Sequence, residues 1–337
     1  MTEAPKPRRV LLVSPVFHGY WAAIRDALEA RGHTVIVHRY DESTNVLERV
    51  QNKLVHDAPG TAPARAARRA ITDRAITALH AARAEALLVV KGDLLDARWW
   101  QAVADARLPT VLWLYDELER MDYALDLLRE IGPIASYSPR DVDALVAEGI
   151  AASHVPLGFD SLTGITRRDV DAVTFVGARY PGREQLLRQL ADASIPVKAY
   201  GREWSRHPWD VIRTRRFSDI GIPTGRDLPR SESYGVMAGS LATLNVHGDG
   251  QNGFTMRTFE APGVAGLQLV DRPDVEMHYE VGKEALVFTS TDELIEHATR
   301  ARREPRWAAS VRDAGRARTL AEHTLMHRVA VVEEQWH

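Results

Sequence analysis

The chain has 337 residues, 45% hydrophobic and 26% charged, an ordinary globular composition with length enough for two domains. Its formal net charge of −3 excludes a general pull toward nucleic acid or an anionic surface. With no cysteine, disulfides, thiol catalysis and thiolate metal sites are excluded too. Residues 1–9 hold no apolar run resembling a signal peptide, and the longest apolar stretches are strand-sized. The expectation is a soluble cytoplasmic protein without a membrane span, as monomer or homodimer.

Arg9–Val13 reads as a buried strand, broken at Ser14-Pro15, with a helix from about Gly19 to Arg31 and a strand over Thr34–His38. A long Ala/Arg helix covers Ala62–Ala84, and the strand Ala86–Val90 ends at Lys91-Gly92-Asp93. Asp96–Arg107 is helical, Thr110–Leu114 and Ile134–Tyr137 are strands, and Ser138-Pro139 opens another helix. Such alternation implies βαβ units and a parallel sheet. After the Pro/Gly turn Val155–Asp160 the pattern restarts: strand Ala172–Gly177, helix Arg183–Ala193, and strands Pro196–Tyr200, Leu241–Val246, Leu267–Val270 and Glu284–Phe288. Helices fill Thr291–Arg302 and the tail from about Ala308. The reading is two Rossmann-like domains facing a cleft.

Two strand ends in the second half carry chemistry. The apolar strand Leu241–Val246 runs into the glycine-rich loop of Gly248, Gly250 and Gly253, then a short helix bearing Arg257 and Glu260. Loops at the carboxyl ends of parallel strands bind ligands, glycines let backbone N–H groups approach, and a helix start favours an anion. Arg257 and Glu260, three apart, share a helix face. The turn Gly177-Ala178-Arg179-Tyr180-Pro181-Gly182-Arg183 is a second phosphate candidate, with Arg179 or Arg183 assisting; the plainer reading is an ordinary βα turn with solvent-facing arginines. Glu260 can accept from two ribose hydroxyls, or be a surface carboxylate paired with Arg257.

Several segments resemble CgeB-like spore-maturation proteins, glycosyltransferase-like members of the GT-B fold. They are Arg257-Thr258-Phe259-Glu260-Ala261, Gly266–Asp271, Tyr279–Glu284, Asp292-Glu293-Leu294, His323–Arg328, the interdomain-like Val155–Asp160 and the strand Phe175-Val176-Gly177. The resemblance covers most of residues 150–330. It implies an N-terminal acceptor domain (1–157), a C-terminal nucleotide-sugar domain (158–318) and a helix over 319–337 crossing back to the first. The implied activity moves a hexosyl or pentosyl group from a nucleotide-diphosphate sugar to a hydroxyl-bearing acceptor, with no metal and no further cofactor. By position Glu260 holds the donor ribose, Gly177–Arg183 lies near the diphosphate, and His247 contacts donor phosphate or acceptor. Retaining GT-B enzymes often carry a glutamate pair eight residues apart; here that first position is Asn252, a hydrogen-bonding group but no carboxylate. A nucleotide-sugar 2-epimerase of the same plan and a non-catalytic nucleotide-sugar-binding protein are the alternatives.

For the base, His18 follows the first strand, and Asp93 and Asp116 end two others. Helix capping is the plainer role for both aspartates, and favoured for Asp93. His323 and His327, read as four apart on one helix, and the His247/Asp249 pair have metal-ligand spacing, but packing or ligand contact is preferred for them. Arg65, Arg68, Arg69 and Arg74 read as a solvated helix face. Trp99, Trp100, Trp204 and Trp209 read mostly as packing, the last two with an alternative of lining the cleft.

Overall fold

Runs of Val, Leu and Ile without polar interruption have no face for water, so they fold as strands covered on both sides. In the computed structural model of the chain, which describes residues 6–43, 48–49, 55, 60–248 and 250–336, they do so in two parallel six-stranded sheets. The chain divides into two compact units, Met1–Leu157 with Leu325–His337, and Gly158–Thr324. The second unit thus runs past the expected limit at residue 318. No helix among the described residues is long and apolar enough to cross a membrane.

In the first unit, β1 (Arg9–Ser14), β2 (Thr34–Arg39), β3 (Ala86–Val90), β4 (Thr110–Leu114), β5 (Ile134–Ser136) and β6 (Ala152–His154) lie in the order β2-β1-β3-β4-β5-β6. Strand order therefore reverses between β1 and β3. The connecting helices are α1 (Tyr20–Ala30), α2 (Ala62–Ala82), α3 (Ala97–Ala106), α4 (Leu125–Ile131) and α5 (Pro139–Ala147). Thr61, Asp96 and Ser138 cap α2, α3 and α5 through their side chains. Asp96, not Asp93, is thus the cap of α3, which leaves Asp93 for other contacts. The closing helix, Leu325–Glu333, joins this unit because Glu333 pairs with Arg31 at 2.7 Å and His33 at 3.1 Å, while Trp336 donates to Leu87 O at 3.2 Å.

The second unit orders β7 (Val170–Val176), β8 (Val197–Tyr200), β9 (Thr224–Gly225), β10 (Ser240–Asn245), β11 (Gln268–Val270) and β12 (Leu286–Val287) as β12-β11-β10-β7-β8-β9. This is the dinucleotide-fold order, with its reversal between β7 and β10. Its helices are α6 (Pro181–Asp192), α7 (Pro208–Thr214), α8 (Arg230–Gly239), α9 (Arg257–Gly263), α10 (Thr291–Arg303) and α11 (Pro305–Glu322). Gly201 has φ +150°, and a Cβ there would lie 2.5 Å from Gly177 O, so glycine lets the loop after β8 press against the loop after β7. Trp204 seals that junction, donating Nε1–H to Gly177 O at 2.8 Å, which makes it a packing residue.

The tail differs from the sequence expectation. His323 ends α11 and His327 belongs to the next helix, so the two imidazoles do not share a helix face. The break arises because His323 O accepts from Phe159 N at 2.9 Å and Thr324 bridges to Phe159, drawing the backbone out of helical register. His323 is buried against Phe259, His278 and Tyr279 instead.

Candidate active site

Both strand-order reversals gather polar side chains at the carboxyl ends of the strands, where open α/β sheets bind ligands. In the second unit the turn after β7 and the segment after β10 are joined by two arginines. Arg183, in the first turn of α6, donates Nε–H and Nη2–H to Val246 O at 3.1 and 2.6 Å and Nη1–H to Ala178 O at 3.2 Å. Arg257, opening α9, donates Nε–H to Val176 O at 3.2 Å. Carbonyls at the ends of β7 and β10 thus hold a guanidinium from each side of the crevice.

The three candidate arginines differ in their counter-charges. Arg179 is almost fully buried; its guanidinium binds Glu184 at 2.9 Å and the Ser218 carbonyl and hydroxyl at 3.2 and 3.0 Å. Its charge is matched by Glu184, and it braces the turn against Ser218. Arg257 pairs with Glu260. Arg183 has no carboxylate partner among the described residues: carbonyl oxygens take three of its five N–H donors, and its carbon caps the rings of Phe175 and Tyr180 at 5.2 and 4.8 Å. Burial, the dominant effect, pulls its pKa down, against the milder fields of Tyr180, Asp271 and Glu203. A partly desolvated cation held only by dipoles favours an arriving anion.

Glu260 is completely buried, where a surface carboxylate or an open ribose ligand was expected. Tyr234 donates to its Oε1 at 3.1 Å and Arg257 takes Oε2. His247 is also buried. Its Nδ1 lies 2.8 Å from Asp271, its backbone N–H donates to the same carboxylate at 2.9 Å, and its Nε2 lies 3.4 Å from Thr258 Oγ1, which accepts from Asn245. The imidazole therefore ties the loop after β10 to the end of β11. Asn252 and Gln251 present their carbonyls to Arg272 at 3.0 and 2.8 Å, and Arg272 stacks over Phe254 at 4.6 Å. Arg272 escaped the sequence reading, although its place just past the neighbouring parallel strand is the signal that exposed the other two loops. Asp249 lies outside the described residues.

In the first unit a cavity of about 190 Å³ opens at the ends of β1, β3 and β4. Pro15, Phe17, Tyr20 and Tyr115 give it aromatic and apolar walls, and Asp41, Lys91, Asp93 and Asp116 its charge. Lys91 reaches both candidate aspartates, 3.4 Å to Asp93 and 3.3 Å to Asp116. Asp93 also accepts from Tyr40 at 3.2 Å, while Asp116, the more exposed, has Arg120 at 3.6 Å. Burial, then the Asp93 charge, pushes the phenols of Tyr40 and Tyr123 well above their ordinary pKa, so both stay neutral donors. Lys91 was missed as a member of this group, though it precedes Gly92-Asp93. Its φ of +63° is a left-handed conformation costing a non-glycine residue about 1 kcal/mol, fixed by Tyr123 donating to Lys91 O at 2.7 Å. His18, also left-handed at φ +43°, is exposed beside the cavity wall of Phe17 and Tyr20.

Two Rossmann-like units, each with polar groups at its reversal point, define a protein of the GT-B glycosyltransferase fold. Residues 179–334, which take in most of the second unit, match the family described as "Glycosyl transferase-like". Solved structures with the same fold include Anabaena HepE in complex with UDP-glucose (11% identity, TM-score 0.62, covering 97% of this chain and 98% of that one). Sucrose-phosphate synthase from Thermosynechococcus elongatus gives 14% identity and TM-score 0.64, covering 98% of each chain. An α-glucosyltransferase in complex with UDP and a 13-mer DNA containing an HMU base gives 13% and 0.65, covering 97% and 99%. No curated protein sequence matches the chain.

Proposed function

We propose that this protein transfers a sugar from a nucleotide-diphosphate sugar to an acceptor hydroxyl, as a CgeB-like enzyme, with the donor diphosphate on Arg183. The observation that carries this reading is the guanidinium of Arg183, held at the β7/β10 reversal by carbonyl oxygens and, among the described residues, without a carboxylate partner. A leaving diphosphate gains negative charge as the glycosidic bond breaks, and a preorganised cation there stabilises it without a metal ion. Uridine nucleotides are the natural first probes, since HepE and the DNA α-glucosyltransferase were each solved with UDP or UDP-glucose. On the acceptor side, Asp116 is the proposed base, being the more exposed of the two carboxylates that pair with Lys91. Asp93, bound by Tyr40 and Lys91, holds Lys91 in place.

The test is calorimetric titration of UDP and uridine into the wild type and Arg183→Ala, with product analysis by mass spectrometry in the presence of a chelator. Losing charge-assisted contacts worth about 1.5–3 kcal/mol should weaken UDP roughly ten- to hundredfold. Uridine, which lacks phosphate, should bind both proteins alike. Equal UDP affinity in the two would remove Arg183 from the donor site. Turnover abolished by the chelator would refute the metal-free step.

A further inference from the structure

Among the described residues, the three most exposed large hydrophobic side chains are Phe217 at 76%, Trp209 at 67% and Ile212 at 65%. All three come from one short stretch, α7 and the loop after it. The helix is built inside out. Its buried residue is Asp210, which takes Arg226 at 2.8 Å and the Ser205 hydroxyl at 2.7 Å, whereas Trp209 and Ile212, three apart on one face, point to water. Ile220 and Ile222 are buried and anchor the stretch from its far end, so the outward side chains sit on a fixed support.

The cations here are equally unmatched. Arg206 pairs with Asp219 and Arg226 with Asp210, which consumes the nearby carboxylates. Arg213, Arg215 and Arg216 are exposed and have no carboxylate partner among the described residues. Apolar tips interleaved with free arginines on a protein of net charge −3 make a local feature, effective only within about a Debye length of its partner.

We propose that residues 209–217 dock this protein onto an anionic membrane surface. Trp209, Ile212 and Phe217 enter at headgroup depth while Arg213, Arg215 and Arg216 meet the lipid phosphates and acidic headgroups. Free arginines alone would suit any polyanion. The aliphatic Ile212 and the benzyl group of Phe217 gain nothing from a nucleic-acid backbone and gain burial in lipid, which decides for the membrane.

Among the described residues Trp209 is the one exposed tryptophan of the eight, so the difference in emission between the wild type and W209F reports on this patch. The experiment is vesicle flotation of the full chain with phosphatidylcholine alone and with equal parts phosphatidylcholine and phosphatidylglycerol. Quenching by brominated acyl chains is read alongside. The wild type should float with the anionic vesicles, with a blue-shifted, quenched emission. R213E/R215E/R216E should lose binding by at least about tenfold, and W209S/F217S should lose it with the arginines intact. Both variants should melt as the wild type does, since the altered side chains are exposed. Failure of the wild type to float, equal flotation of the triple arginine variant, or unquenched Trp209 emission would each overturn the proposal. So would arginine-dependent binding of a single-stranded oligonucleotide with no vesicle binding.

Discussion

Removing the Glu260 carboxylate separates a ligand from a support. Glu260→Ala deletes a side chain with no solvent exposure that accepts from the Tyr234 hydroxyl at 3.1 Å and from Arg257. A hydrogen bond to a charged acceptor is worth about 1.5–3 kcal/mol. Breaking a buried ion pair costs about 3–5 kcal/mol where the abandoned charge stays buried. Arg257 is 29% exposed and can rehydrate, so its share is smaller, and the expected total is about 2–4 kcal/mol of unfolding free energy. Chemical denaturation of Glu260→Ala and Glu260→Gln measures it, with Gln recovering part of the loss because its amide oxygen still accepts from Tyr234. UDP titration into the folded variants supplies the second reading. Stability within about 0.5 kcal/mol of wild type, together with a large loss of UDP affinity, would refute the support role and restore Glu260 as a direct ribose ligand.

Three further outcomes follow from the same geometry. Arg272→Lys keeps a charge but cannot fork across the Gln251 and Asn252 carbonyls; hydrogen exchange in the loop should rise and UDP affinity fall about three- to tenfold, whereas unchanged exchange would exclude the clamp. Asp116→Asn should lower kcat by about a hundredfold or more with UDP affinity intact, while His18→Ala stays within about threefold; the reverse ranking would make His18 the base. Burial, then Arg74, lowers the His38 pKa from 6.5 to about 4, so the unfolded chain takes up a proton first as pH falls. Stability should therefore drop between about pH 7 and pH 5 by at most about 2 kcal/mol, less whatever solvent screens of a ring not fully enclosed. Denaturation midpoints that fall equally in His38→Gln would show that other groups carry the effect.

The strands were legible because an uninterrupted apolar run has nowhere to go but a doubly covered sheet, and β1, β3 and β4 are of that kind. Illegible were two of the four edge strands, β6 and β9, short and only half buried, where the apolar signal fades. Helix α8 was hidden by glycine, a poor helix former. Gly235 is there for a tertiary reason, since a Cβ would lie 2.1 Å from Thr166 O. Helix α7 was hidden by its outward apolar residues. At the site, glycines and strand ends marked both loops, but the pairing of each charge depends on contacts between elements. The sequence held one clue: at helical spacing from Arg183 stand Arg179, Tyr180, Leu186 and Leu187, none of them acidic.

That difference in pairing also supports the proposed division of the two reversal points between different substrates. Each unit offers a cation at the carboxyl edge of its sheet, Lys91 in the first and Arg183 in the second. Lys91 already stands between two carboxylates, and with Asp41 the cavity wall carries more negative charge than positive. A diphosphate brought there would meet three aspartates in a partly apolar cavity, where like charges repel strongly. A neutral hydroxyl suits the same place, donating to Asp116 while its carbon frame lies on Phe17, Tyr20 and Tyr115. Arg183 reverses every term: its neighbours are carbonyl oxygens, and partial burial leaves its charge undercompensated. The proposed placement of the phosphates at Arg183 and of the acceptor hydroxyl at Asp116 therefore rests on the counter-charges rather than on the likeness of the two halves.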